Sequence, residues 1–222
     1  MTGSARRGVF LAVLVAAVAA LIASLVWGMG VGSGPWRPGP GVMTGAVSRS
    51  GPVRGMADAD RAAGRFADRW GLRVGEVMRF SNGYYAELLD RAGRPATEVL
   101  VDPHSGTVHP EYGPAMMWNT VYGMMPAPHR TGAPAVGPGQ AVRIADQWLS
   151  RHHTGLHAAE ADRFPGYYTL HTLRDHHVVG MLSVNATTGT VWYHTWHGRF
   201  LQMRETPDRT APGAPATAPS SK

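Results

Sequence analysis

Four methionines, Met116, Met117, Met124 and Met125, fall within ten residues of one another around Trp118 and Tyr122, with His109 and His129 to either side. Thioethers and imidazoles are soft donors, and outside the cytoplasm such a set selects Cu(I), the one cofactor the sequence suggests. The candidate copper ligands are therefore Met116, Met117, Met124, Met125, His109 and His129. Methionine is also an adaptable filler and a common component of docking surfaces, so the segment equally reads as packing between folded units or as a place where a protein partner binds. On the docking reading the residues that carry binding are Trp118, Tyr122, Met116 and Met117.

The chain holds 11 histidines, most of them in its second half. Without cysteine, a zinc site needs three or four His or carboxylate ligands converging on one point. His194 and His197 are three apart, which on a continuous strand directs them to opposite faces. His153 and His157 would share a helical face, but Gly155 is expected to end that helix first, and His176 and His177 read as a turn. No His-Glu-x-x-His pair, Gly-x-Ser-x-Gly elbow, phosphate-cradling Gly-x-x-x-x-Gly-Lys loop or Gly-x-Gly-x-x-Gly fingerprint occurs. Glu98, Asp102 and Glu111 are the only carboxylates that suggest a pair, and sequence alone gives nothing to orient them for acid/base work. Asn185-Ala186-Thr187 matches a glycosylation sequon but falls within a turn that its neighbours already explain. The expectation is a protein that is not an enzyme.

These residues sit on a duplicated scaffold. Gly83-Tyr84-Tyr85 is followed by Gly106-Thr107-Val108, and Gly166-Tyr167-Tyr168 by Gly189-Thr190-Val191, both at an offset of 83, in a chain with 7 tyrosines among 222 residues. A fixed period of this kind marks a repeated supersecondary unit. Residues 57–70 place Ala59, Ala62, Ala63, Phe66 and Trp70 on one helical face, with Asp58 as expected N-cap and Gly71 as terminator. Strands are expected at 76–80, 84–90, 96–101 and 107–109, joined by short turns and hence antiparallel. The plan recurs as a helix over 140–152 and strands at 161–164, 167–174, 178–184 and 190–195. Alternation puts Val99 and Val101 on one face and Leu182 and Val184 on its counterpart, the faces on which the helices should pack. The fold class is α+β, a tandem repeat of a helix plus an antiparallel four-stranded sheet. Each unit is near the lower size limit for independent stability, so the two should pack together.

Residues 8–27 carry no charge and follow Arg6 and Arg7, which reads as a transmembrane helix, uncleaved, with residues 1–7 in the cytoplasm and the rest outside. A single-pass protein of the cell membrane is thus expected, its C-terminal part extracytoplasmic. Residues 28–55 form a Gly/Pro/Ser-rich linker, 56–110 the first unit, 111–137 the Met/Trp-rich connector, 138–204 the second unit, and 205–222 a Pro/Ala/Ser/Thr-rich tail. The net charge of +6 is almost all arginine and is scattered, Lys222 being the only lysine. Nucleic-acid binders gather their basic residues on one face, so no nucleic-acid partner is expected.

A helix followed by an antiparallel sheet that closes on Val101-Asp102-Pro103-His104-Ser105-Gly106-Thr107-Val108 resembles the PepSY domain, found in propeptides of thermolysin-like metallopeptidases and in bacterial envelope proteins. Val184-Asn185-Ala186-Thr187-Thr188-Gly189-Thr190-Val191 matches more loosely, with Asn185 where Asp is usual. The resemblance implies a non-catalytic module that restrains a peptidase or senses another protein of the envelope. It does not identify that partner.

Overall fold

The computed structural model describes residues 51–124 and 135–206. The chain divides into two units, Met1–Gly39 and Pro40–Lys222, and all described residues belong to the second. Among the described residues no helix is long and apolar enough to cross a membrane; the apolar run 8–27, the linker up to residue 50, Met125, His129 and the tail from residue 207 lie outside them.

Helix α1 (Met56–Asp68) precedes strands β1 (Arg73–Phe80), β2 (Gly83–Leu89), β3 (Pro95–Val101) and β4 (Val108–Pro110); a one-turn helix α2 (Pro114–Met117) lies in the connector; helix α3 (Pro138–His152) then precedes β5 (His157–Phe164), β6 (Tyr167–Arg174), β7 (His177–Asn185), β8 (Val191–Tyr193) and β9 (Phe200–Arg204). The fold is α+β with two antiparallel sheets, ordered β4-β3-β2-β1-β9 and β5-β6-β7-β8. The first sheet has five strands where sequence gave reason to expect four, because β9, at the end of the second repeat, crosses back and pairs with β1 from Val77↔Arg204 to Phe80↔Phe200.

Each helix covers one face of its own sheet. Ala59, Ala62, Ala63, Phe66 and Ala67 of α1 pack on Val77, Tyr84, Ala86, Leu88, Val99, Val101 and Val108. In the second half Ala141, Ala145 and Leu149 of α3 pack on Tyr168, Leu170, Leu182 and Val184. The alanine-rich face lets each helix approach its sheet closely. Asp58 is not the N-cap of α1. Gly55 is, and Asp58 sits in the first turn, where it accepts a hydrogen bond from Arg54 N at 2.9 Å and pairs with Arg61. A carboxylate there also complements the positive end of the helix. Gly71 turns the chain out of α1 at φ +66°, as its type suggests.

The opposite faces of the two sheets meet. Met78, Phe80 and Tyr85 of the first sheet pack with Met181 of the second, and Val178, Phe200 and Met203 close around them. β9 therefore does two things: it covers the edge of β1 that would otherwise be unpaired, and it adds apolar cover to the seam.

The register corrects the repeat. Phe80 pairs with Gly83 across a two-residue turn, and Phe164 pairs with Tyr167 across another. Gly83 is thus equivalent to Tyr167, not to Gly166, and the offset in the first hairpin is 84. Further on, Val101 pairs with Tyr84 and Val184 with Tyr168, so the offset returns to 83 because the β6–β7 connection is one residue shorter than β2–β3. A one-residue slip along a strand exchanges its faces. Tyr84 and Tyr168 consequently lie under their helices, whereas Tyr85 and Tyr167 point into the seam.

Candidate functional site

The seam between the sheets is unusually polar for a protein interior. By alternation Glu87 and Glu98 face away from α1, and with Glu76 and Glu111 they form a set of buried carboxylates, Glu98 and Glu111 having no exposed surface. A buried ionised group is costly unless it is paired. Most of the partners come from the second repeat. Tyr167 Oη donates to Glu98 Oε2 at 2.6 Å while Tyr85 Oη donates to Oε1 at 2.9 Å. His171 Nε2 lies 2.9 Å from Glu76 Oε1.

Glu111 stands at the centre of the second cluster. Its backbone N–H, just past β4, donates to Glu98 O at 2.9 Å, and the equivalent residue past β8, His194, donates to Met181 O at 3.1 Å. The two repeats thus bring equivalent positions, Glu111 and His194, face to face: His194 Nδ1 is 3.2 Å from Glu111 Oε1. His197 Nε2 is 2.7 Å from the same oxygen, and Trp196 Nε1 donates to it at 3.3 Å. On its far side, His194 Nε2 lies 2.9 Å from Ser183 Oγ, which is 3.0 Å from Thr169 Oγ1.

His194 and His197 converge because β8 stops at Tyr193, so both belong to the loop 194–199 rather than to a strand. That loop is fixed by the β1–β2 turn. Asn82 Nδ2 donates to Trp196 O, and Asn82 Oδ1 accepts from Gly198 N, both at 2.8 Å; Ser81 Oγ accepts from Arg199 N at 3.0 Å. A Cβ at Gly198 would lie 2.3 Å from Ser81 Oγ and 2.9 Å from Asn82 Oδ1, so a larger residue there would displace the two side chains that hold the loop. The expectation that His194 and His197 diverge is therefore corrected: the strand on which it rested, expected over 190–195, ends at Tyr193, before either histidine.

Electrostatics separates the two central carboxylates. Burial, reinforced by the charge of Glu111, pushes Glu98 well above the usual carboxylate range, and the hydroxyls of Tyr167, Thr169 and Tyr85 offset this only in part. Burial acts on Glu111 in the same direction, but His194 and His197 overcome it and hold its pKa at about 2. His194 is itself lowered by burial, against the pull of Glu111. Carboxylates driven apart in this way suit acid and base roles. Glu98, however, has no exposed surface and holds both of its oxygens on Tyr85 and Tyr167.

A cleft of about 160 Å³, lined by Phe80, Leu100, His109, Tyr112, Trp196 and His197 among others, opens beside the Glu111 cluster. His109 stacks on Tyr112 at 4.9 Å. From Tyr112 a row of rings in edge contact runs to Trp196 at 6.2 Å, then to Trp192 at 6.4 Å and to Trp118 at 5.6 Å.

The connector residues are divided. Trp118 is half-buried against Ala115, Phe164 and Tyr167, and Tyr122 packs on the core under α1. Asn119 fastens the segment by donating to Ala96 O at 2.8 Å and accepting from Val121 N and Tyr122 N. Met124 N bonds to Met116 O at 2.8 Å, which brings those two residues side by side, while Met117 is 52% exposed. The residues missed from sequence are Tyr85, Tyr167, Trp192 and Trp196, while His194 and His197 were considered as ligands and set aside on the expectation of a continuous strand. The one available signal was that Glu111 and His194 occupy the same position, three residues after the valines of two matching turns, Val108 and Val191.

No family model matches the chain, and no curated protein matches it either. A comparison with solved structures returned the Bacillus megaterium YpeB C-terminal domain, 13% identical, at a TM-score of 0.24 over 64% of this chain. The match spans 62% of the length of that domain. A likeness this distant carries no argument about function.

Proposed function

We propose that this chain is an extracytoplasmic binding module of PepSY type, anchored through residues 8–27, which regulates a protein of the cell envelope by holding it against the aromatic row. The observation that carries the reading is that row: Tyr112, Trp196, Trp192 and Trp118 are linked by edge contacts, the three tryptophans half-buried, with Tyr112 47% exposed at its end and Met117, next to Trp118 in the chain, 52% exposed. Tryptophan, tyrosine and methionine are the side chains over-represented at the centres of protein interfaces, where rigid rings bury much area at little entropic cost. The row also lies where the two repeats differ, because the connector that supplies Tyr112, Met117 and Trp118 has no second copy. The turn 101–108 adds to the resemblance: Asp102 Oδ1 accepts from His104 N, Ser105 N and Ser105 Oγ at 2.7–3.0 Å, and Asn185 organises its own turn through Thr187 N and Thr188 N. A peptidase is one partner that a module of this type restrains.

The test is photo-crosslinking of the full chain in cells from positions 112 and 117, with the exposed helix position 147 as control. A product of one defined mass is expected from 112 and 117, absent from 147 and lost on Trp118→Ala. Because Trp118 also packs on Phe164 and Tyr167, Met117→Glu serves as a second variant that leaves the fold intact. The reading is overturned if 147 gives the same product, if no product forms, or if Met117→Glu leaves it unchanged.

A further inference from the structure

We infer that Glu111, His194 and His197 form a binding site for one divalent transition-metal ion of the Zn²⁺ class. Each offers one ligand atom, and the three atoms lie within 4.8 Å of one another. The side chains of Glu111 and His194 have no exposed surface, and that of His197 is 5% exposed.

The way these groups meet points to a common external partner. His194 Nδ1 and His197 Nε2 come to 3.2 and 2.7 Å from Glu111 Oε1, yet His194 Nδ1, His197 Nδ1, His197 Nε2 and Glu111 Oε2 have no aligned hydrogen-bond partner. Buried polar atoms are rarely left in this state without a reason. Two imidazoles and a carboxylate gathered within 4.8 Å of one another in a buried place are a donor set that a cation can use. Two bonds of about 2.1 Å at a tetrahedral angle place ligand atoms roughly 3.4 Å apart, so Glu111 and His194 already stand at about that separation, His197 would withdraw from Glu111 by roughly 0.7 Å, and the two imidazole nitrogens, within 4.8 Å of each other, would adjust to the same spacing.

The surroundings match those of metal ligands. His194 has its second nitrogen tied to Ser183 Oγ at 2.9 Å, and Ser183 to Thr169, which fixes the ring's tautomer and orientation. Trp196 Nε1 steadies the carboxylate, and the Asn82 and Ser81 contacts hold the loop that presents His197. Two imidazoles and one carboxylate are borderline donors that suit Zn²⁺, Co²⁺ or Fe²⁺ better than Cu(I), whose thioether ligands would lie elsewhere, in the connector. Three protein ligands leave one position open, and of the three His197 alone also lines the neighbouring cleft.

Such an ion would join the two repeats, since Glu111 follows β4 of the first and both histidines precede β9, the strand that returns to the first sheet. Binding to the folded state alone raises its stability by mass action. The experiment uses the full chain in detergent, stripped with a chelator. Zn²⁺ is titrated by calorimetry, and Co²⁺ is followed by its visible absorption. One equivalent is expected, and the melting temperature should rise by about 5–10 °C at a hundredfold excess over the dissociation constant. Glu111→Gln and His197→Gln should each weaken binding at least 100-fold, while the double variant His176→Gln/His177→Gln, exposed at the β6–β7 turn and the first residue of β7, binds as the parent does. His197→Gln guards against a folding failure at Glu111, because its ring lies at the margin of the seam. The inference fails if neither ion binds, if binding survives both single variants, or if the turn variant loses it equally.

Discussion

Removing one hydroxyl, with Tyr167→Phe, should test whether the polar seam is a specific lock between the repeats. Tyr167 is fully buried, and its hydroxyl donates to Glu98 Oε2 at 2.6 Å. The substitution leaves the ring and its stacking on Phe164 in place and takes away one donor from a buried carboxyl group. The cost of leaving such a group short of a partner is about 1–3 kcal/mol. For a folded part of this size that corresponds to a fall in melting temperature of about 2–12 °C. The decisive step is a second substitution suggested by the repeat itself. The position equivalent to Glu98 in the second sheet is Met181, since Val101 and Val184 are paired alike and each precedes its edge strand. Glu98→Met therefore replaces the carboxylate with the side chain that the other repeat already uses. In the Tyr85→Phe/Tyr167→Phe background it should restore most of the lost stability, because a polar network replaced as a whole by apolar groups of similar volume is often neutral. Differential scanning calorimetry of the single, double and triple variants completes the cycle. If Tyr167→Phe changes stability by less than about 0.5 kcal/mol, or if Glu98→Met is equally costly with and without the tyrosine hydroxyls, the seam is not coupled as argued.

Two further substitutions probe local geometry. Gly75→Ala would place a Cβ 2.5 Å from Glu87 Oε2 and 3.0 Å from Leu89 Cγ, at the bulge between Val74 and Val77, and should destabilise by about 1–3 kcal/mol in a thermal melt; Gly64→Ala, inside α1 with only Val74 Cγ2 at 3.9 Å, should cost nothing, and equal losses would contradict the steric account. Asp102 has its pKa lowered chiefly by the hydrogen bonds from Ser105, so its contribution to stability is full above its unfolded value and is lost as pH falls through the folded one. Asp102→Asn keeps the acceptor, as Asn185 does in the second turn, and should cost less than about 1 kcal/mol at neutral pH while making the acid limb of stability below about pH 4 shallower. An unchanged acid limb would refute that assignment.

The elements were readable because they rest on local rules. Helical spacing of Ala59, Ala62, Ala63 and Phe66 located α1, and alternation placed Val99, Val101, Leu182 and Val184 under the helices where they are found. Register was not readable in the same way. Gly83-Tyr84-Tyr85 and Gly166-Tyr167-Tyr168 match letter for letter, yet Gly166 is a turn residue at φ +93° and Gly83 is the first residue of β2. Identity of residues cannot reveal that one hairpin has slipped, whereas the phenylalanines before the turns, Phe80 and Phe164, are spaced by 84 and carry the true equivalence. β9 was missed for a different reason. Phe200–Arg204 follows the repeat pattern of neither unit, and what makes it a strand is the open edge of β1, a tertiary partner more than a hundred residues away. The convergence of His194 and His197 depends on that same return, because the loop leading into β9 is what bends both rings toward Glu111.

Differences between equivalent positions give the duplication its meaning. On the inner faces the buried carboxylates, Glu76, Glu87, Glu98 and Glu111, come from the first repeat, and the imidazoles that face them, His171, His194 and His197, come from the second. Two copies of the first repeat packed together would confront acids with acids, and two copies of the second would bring unpaired histidines together. Either arrangement buries charge or polar atoms without partners, at several kcal/mol each. The seam therefore disfavours self-pairing of either half as strongly as it favours the pairing observed, which is how specificity is achieved when two surfaces share a common shape. β9 reinforces the choice, since only a chain that carries both halves can lay its last strand along β1. The aromatic row is built at the side where the halves have no matching segments, tied to the seam through Trp196 on Glu111 and Trp118 on Tyr167, with Tyr112 left exposed at its end.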